Sequence, residues 1–332
     1  RLVREGASPV FRRHALFAAG GFAVGKTWDA HLNSFSDPAL QAWRARVLYS
    51  HPSNMNSPAE RSKMSFWSAQ QWDFYWSNLW SRFPVSENPA IRLQQLIGIS
   101  KMPSDSGPIE GLLKILAKSE GDRLIPQIAW QNLHPRLELA STDFVAVVRK
   151  NDYLNSKSVL DLMPRVTDRL LGRQKFDAKP VAELFSLLRD EHPQVGKQVI
   201  ELLAAKVQSG ELKGEKLELL KTAMAEPLTP VLAEGSKHPL ATDAALLAAS
   251  WGDPRGLPQV RRSFTTRGLQ ADARLKALGA LVAAKDAGVI EAIAAVLDEK
   301  SETADFKSQI LTTAARLEDA KIADVMLARY AS

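Results

Sequence analysis

Apolar residues along this chain recur at intervals of three and four, with Lys, Glu, Arg, Ser and Gln between them. That spacing lays one apolar stripe along a helix, whereas the period-two alternation of strands is nearly absent. The pattern predicts helices at about 10–20, 27–35, 38–50, 59–82, 89–101, 108–120, 122–133, 140–150, 155–172, 178–189, 193–208, 212–225, 238–251, 254–264, 269–284, 286–298, 302–316 and 318–331. The connections are short, so consecutive helices are expected to lie antiparallel and adjacent.

The punctuation between helices also recurs. A polar residue or His precedes Pro at Ser8-Pro9, Asp37-Pro38, Asn88-Pro89, His192-Pro193, His238-Pro239 and Asp253-Pro254. Proline suits a first helical turn, where its missing N–H has no partner to lose, and Ser, Asp or Asn before it can cap the freed donors. His is a poorer cap, so His192 and His238 read as ends of the preceding helices. Irregular repetition of this kind fits HEAT-like units of about 40–47 residues. The expected fold class is therefore all-α, an α-solenoid of antiparallel helix pairs of HEAT or armadillo type. It is read as one continuous array over 1–332, with a Trp-rich insertion at about 51–86 and a point of sub-division near 226–238.

Composition narrows the chemistry. There is no cysteine, which removes disulfides, thiolate nucleophiles, thiolate metal sites and haem attachment through Cys-x-x-Cys-His from this segment. No apolar run approaches the roughly 18 residues of a membrane span. The chain begins at Arg1 and reads as part of something longer. The net charge is +6, which invites a nucleic-acid reading, yet acids are interleaved with bases along most of the chain. The least balanced stretches are 1–13 and 255–274.

Individual motifs have plain structural readings. Gly20 to Thr27, GGFAVGKT, matches the phosphate-binding P-loop in form. It lacks a preceding strand pattern and a long following helix, and its glycines read as a helix end. Between Phe66 and Phe83 the chain carries eight aromatic residues. Trp72, Trp76, Leu79, Trp80 and Phe83 share one helical face and read as core. Trp67 and Phe74 fall on the opposite side, as a second packed face or a contact for a partner. Arg165, Arg169 and Arg173, with Lys175 beyond, form a basic ridge on one helix, read as a solvated face or as a surface for an anionic partner. The six histidines show no paired metal-binding spacing, and no serine-nucleophile motif occurs. No catalytic, cofactor-binding or metal-ligating residue is assigned.

Three stretches resemble a known family. HALFAAGGFAVGKTWDAHLNSFSDPALQAWRARVL (14–48), SENPAIRLQQLIGISKM (86–102) and GDRLIPQIAWQNLHPRLE (121–138) are similar to the large multidomain haem-binding proteins of planctomycete and verrucomicrobial type. Those join a dehydrogenase-like propeller, a HEAT-repeat region and a c-type cytochrome domain carrying Cys-x-x-Cys-His. The resemblance implies that this chain is the helical spacer, a non-enzymatic scaffold in an extracytoplasmic compartment. Its partners would be other domains of the same protein or a separate protein. Haem c would lie elsewhere in the parent chain and serve electron transfer. The alternative is a nucleic-acid-binding solenoid like the helical-repeat DNA glycosylases, which needs a contiguous basic concave face.

Overall fold

The apolar stripes close into helices throughout the part of the chain that can be described. A computed structural model describes residues 8, 10, 37–42, 85–100, 107–233, 236–317 and 319–330. From Pro89 onward these residues form fifteen α-helices and one short 3-10 turn, and among the described residues there is no strand. Residues 38–42 are also helical, with Leu40 and Ala42 buried. The GGFAVGKT motif and the aromatic stretch with Trp67 and Phe74 lie outside the described residues. The chain divides into two compact units, Arg1–Lys175 and Phe176–Ser332.

In the first unit, α1 (Pro89–Ser100), α2 (Gly107–Ala117) and α3 (Ile125–Arg136) pack on one another. They are followed by α4 (Ser141–Lys150), a 3-10 turn (Asp152–Asn155), α5 (Lys157–Leu160) and α6 (Met163–Leu171). Both α4 and α5 turn back against α2, whose Ile109, Leu112, Leu113 and Leu116 are buried. Each such fully buried side chain contributes about 1.5–3 kcal/mol of transfer free energy. Gly111 permits the approach of α1, since a Cβ there would lie 2.9 Å from Ile99 Cδ1. The single helix expected over 155–172 is two helices. Pro164 supplies no N–H to the turn before it, so the chain breaks at Asp161–Leu162 and restarts with proline in the first turn of α6.

The second unit runs from α7 (Lys179–Arg189) and α8 (Pro193–Gln208) through α9 (Glu215–Leu232), α10 (Ala241–Ser250) and α11 (Leu257–Thr265). It continues with α12 (Ala271–Ala283), α13 (Val289–Asp298), α14 (Ala304–Ala314) and α15 (Ala320–Tyr330). Most neighbours in sequence pack together, and so do helices two apart: α8, α10, α12 and α14 each touch the next, as do α7 and α9, α11 and α13, and α13 and α15. Between these rows lies a core built from Val260, Phe264, Leu278, Leu281, Ile293, Phe306 and Ile310. The sequence of α10, ATDAALLAAS, explains its central place. Alanine favours helix and adds little girth, so α8 and α12 also touch one another around a helix that is buried on nearly every side.

Helix α9 runs well past the end expected at 225, through Pro227 and Pro230. Each proline leaves one carbonyl of the preceding turn without its usual donor. The buried stripe Leu220, Met224, Pro227, Leu228 and Val231 nonetheless continues unbroken, and packing of that stripe on α7 and α10 outweighs the lost bonds.

Several helix starts share one device. The side chains of Asp37, Asn88, Asp122, Asp177, His238, Asp253 and Asp319 each accept the backbone N–H two residues ahead at 2.8 to 3.1 Å. This is the Asx-turn geometry that frees the chain to enter a helix. His238 belongs to the set through Nδ1, so it opens α10 rather than merely ending what precedes it. His192 makes no side-chain cap.

Candidate interaction surface

The last carbonyls of a helix have no intrahelical donors, and a cation beside them supplies hydrogen bonds while opposing the negative end of the helix dipole. The arginines of this chain do this repeatedly for helices other than their own. In the first unit, Arg92 on α1 donates to the Lys118 carbonyl just beyond α2. Arg136 at the end of α3 donates to the Ser100 carbonyl that closes α1, at 2.9 Å.

The ridge residues Arg165, Arg169 and Arg173 part company. Arg165 is exposed, as is Lys175. Arg169 is turned toward the end of α3, where Nε donates to the His134 carbonyl at 3.2 Å and Nη2 to Glu138 Oε2 at 2.6 Å. Arg173 is buried beside it, donating to the Glu138 carbonyl at 3.0 Å and to Ser141 Oγ at 2.6 Å. Burial pushes the Glu138 carboxyl up, but the Gln174 N–H and then the Arg169 guanidinium hold it below the usual glutamate range. Two of the three arginines therefore tie α6 and its end to the α3–α4 turn, and the ridge does not present three free cations.

Four of the five arginines in the basic stretch 255–274 are paired within the second unit, and Arg262 is exposed. Arg255 pairs with Asp253 at 2.7 Å, Arg261 with Asp286, Arg267 with Glu299, and Arg274 with Glu302 at 2.8 Å. Arg274 is buried, and it also donates to the Phe264 carbonyl at 2.9 Å and lies 4.4 Å over the Phe306 ring. Farther along, Lys307 donates to the Leu297 carbonyl at 2.7 Å and Arg329 pairs with Asp298 at 2.6 Å. The Arg329 guanidinium holds the Asp298 carboxyl below its ordinary value. Sequence counting registers these arginines as an excess, because their acids lie 25 to 32 residues away for Arg261, Arg267 and Arg329.

A second polar cluster sits where α7 gives way to α8. Arg189 chelates Asp190 at 2.7 Å and donates to the Pro227 carbonyl in α9 at 2.9 Å. His238 Nε2 lies 3.4 Å from the same carboxylate while its Nδ1 caps α10. The hydrogen bond from Arg189 holds the Asp190 carboxyl below the usual aspartate range against some desolvation, with His238 adding to the effect. The α7–α8 turn, α9 and the start of α10 thus share one charge network.

Other candidate groups have local roles. His134 is exposed and meets Trp130 edge-on, with ring centroids 5.3 Å apart. Among the described residues no group of three or more His, Asp or Glu side chains is placed to hold a metal ion, and no helix is long and apolar enough to cross a membrane. Comparison with known protein families, with characterised proteins and with solved structures returns no match.

Proposed function

We propose that this chain is a helical-repeat scaffold, an α-solenoid whose work is to hold other domains or a protein partner at fixed spacing. The observation that carries the reading is the way its cations are used: Arg136, Arg169, Arg173, Arg189 and Arg274 end on carbonyls of neighbouring helices or turns. Such bonds make each helix pair depend on its neighbour, as expected where stability is shared between adjacent units in a linear array. The two rows of helices in the second unit, each touching the next but one, support the same arrangement. By resemblance, the domains held apart are a dehydrogenase-like propeller and a c-type cytochrome domain, outside the cytoplasm, with the redox chemistry done elsewhere in the parent chain.

A nucleic-acid-binding solenoid needs a contiguous face of free cations. With Arg169, Arg173, Arg255, Arg261, Arg267 and Arg274 engaged internally, the described residues favour the scaffold. Cross-linking of the full-length parent protein, read by mass spectrometry, tests the assignment. Lysine cross-links from this segment to a propeller on one side and a Cys-x-x-Cys-His domain on the other are expected. A parent protein without those domains overturns the spacer reading.

A further inference from the structure

A cavity of about 380 Å³ opens in the second unit between the turn that precedes α13 and the turn that precedes α15. Ala287, Val289, Ile290 and Leu317 make up the apolar part of its lining. Lys285, Asp286, Arg316 and Asp319 provide its charges.

Those four groups are not equally available. Asp286 is buried, and both its oxygens accept from Arg261. Asp319 Oδ1 accepts the Lys321 N–H at 3.0 Å and so helps to start α15. Lys285 and Arg316 are exposed, and no hydrogen bond or ion pair engages either side chain among the described residues. Glu318 lies outside the described residues. Val289 and Ile290, in the first turn of α13, border the opening, so the positive end of that helix dipole lies beside the two side chains. The volume lies at the small-molecule end of the pocket range.

We propose that this cavity binds a carboxylate carried on a small branched aliphatic group. The carboxylate is held by Lys285 and Arg316, and the aliphatic part lies against Ile290 and Leu317. Two sources present that chemistry, a free short-chain carboxylic acid and the C-terminal residue of a peptide ending in an aliphatic side chain. The site is independent of the scaffold reading, since it uses no partner domain.

Methyl NMR of the chain under titration distinguishes the cases, with isovalerate for the free acid, N-acetyl-leucine for a peptide end and isovaleramide as the uncharged control. Isovalerate or N-acetyl-leucine should move the Ile290 and Leu317 methyl signals, while isovaleramide leaves them in place. A response to both acids assigns the site to the carboxylate itself, and a response to N-acetyl-leucine alone assigns it to a peptide end. Lys285→Gln and Arg316→Gln should each weaken binding about tenfold, the loss expected for one charge-assisted hydrogen bond. Both replaced positions are exposed, and unchanged circular dichroism shows that the fold is retained. The proposal is overturned if neither acid moves these signals, if the amide moves them equally, or if the shifts survive in the double variant.

Discussion

The carboxylate of Asp286, buried in the turn between α12 and α13, is chelated by the half-exposed guanidinium of Arg261 on α11. The two ends of this pair stand in different solvent, and that asymmetry decides what each loss costs. Arg261→Ala leaves a buried carboxylate with no counter-charge, whereas Asp286→Ala leaves a guanidinium that can turn to water. We expect Arg261→Ala to cost about 2–3 kcal/mol and Asp286→Ala less, since orphaning a buried charged group carries most of the penalty. Urea unfolding of both variants checks this, and equal losses would refute the asymmetry.

Arg274 is buried, with a carboxylate, a carbonyl and an aromatic face around one guanidinium. A lysine ammonium is a point charge and cannot meet all three at once. Arg274→Lys should therefore lower stability by about 2 kcal/mol despite keeping the charge. A thermal melt indistinguishable from the parent chain would show that charge alone matters at this position.

Gly256 and Gly268 offer a matched contrast. A Cβ on Gly256 would stand 2.5 Å from the Ala245 carbonyl oxygen and 2.8 Å from the Ala249 nitrogen. Both are backbone atoms of α10 and cannot swing aside. At Gly268 nothing lies within 4 Å. Gly256→Ala should cost about 1–3 kcal/mol through overpacking, while Gly268→Ala should be neutral or slightly stabilising. Denaturant midpoints of the two variants read the difference directly.

At the α9–α10 junction, His238 can cap Leu240 only while Nδ1 keeps its lone pair. His238→Asn preserves an acceptor at this turn and should hold stability, whereas His238→Leu should lose about 1 kcal/mol, the usual worth of a cap. The neighbouring Asp190 sets an acid limit. Its carboxyl is held below the ordinary aspartate range, so its contribution is present above that ordinary value and is lost as the pH falls through the folded-state value. Acid titration followed by circular dichroism should show a shallower stability decline in Asp190→Asn than in the parent chain.

Much of this was legible in the sequence, and the exceptions have physical causes. Helix α8 was expected at 193–208 and lies there, because Pro193 starts it and an unbroken apolar stripe follows. At the break before Pro164 the apolar period continues unbroken, so only the missing N–H marks the boundary. Helix α9 runs past the expected end at 225, because a buried stripe carries it through Pro227 and Pro230. The basic ridge at Arg165, Arg169 and Arg173 was visible as spacing. Its partner Glu138 lies 31 residues before Arg169, and periodicity within one helix carries no information at that distance. The cavity beside Lys285 left no mark in the sequence, because it forms between two turns far apart along the chain.

Tyr153 supplies an alkaline counterpart to the acid limit. Burial of its phenol in the 3-10 turn, helped by the negative charge of Glu110, pushes its pKa up to about 12. An unperturbed phenol ionises near about 10. The neutral form is therefore favoured in the folded chain, and the associated stability is complete below the unfolded value and lost as the pH rises through about 12. Spectrophotometric titration should place the Tyr153 step well above that of a free phenol, and Tyr153→Phe should delete it while keeping the ring in place. Glu110→Gln should bring the step down without abolishing the displacement, since burial is the larger cause. A Tyr153 step near that of a free phenol would overturn the burial of this ring against water.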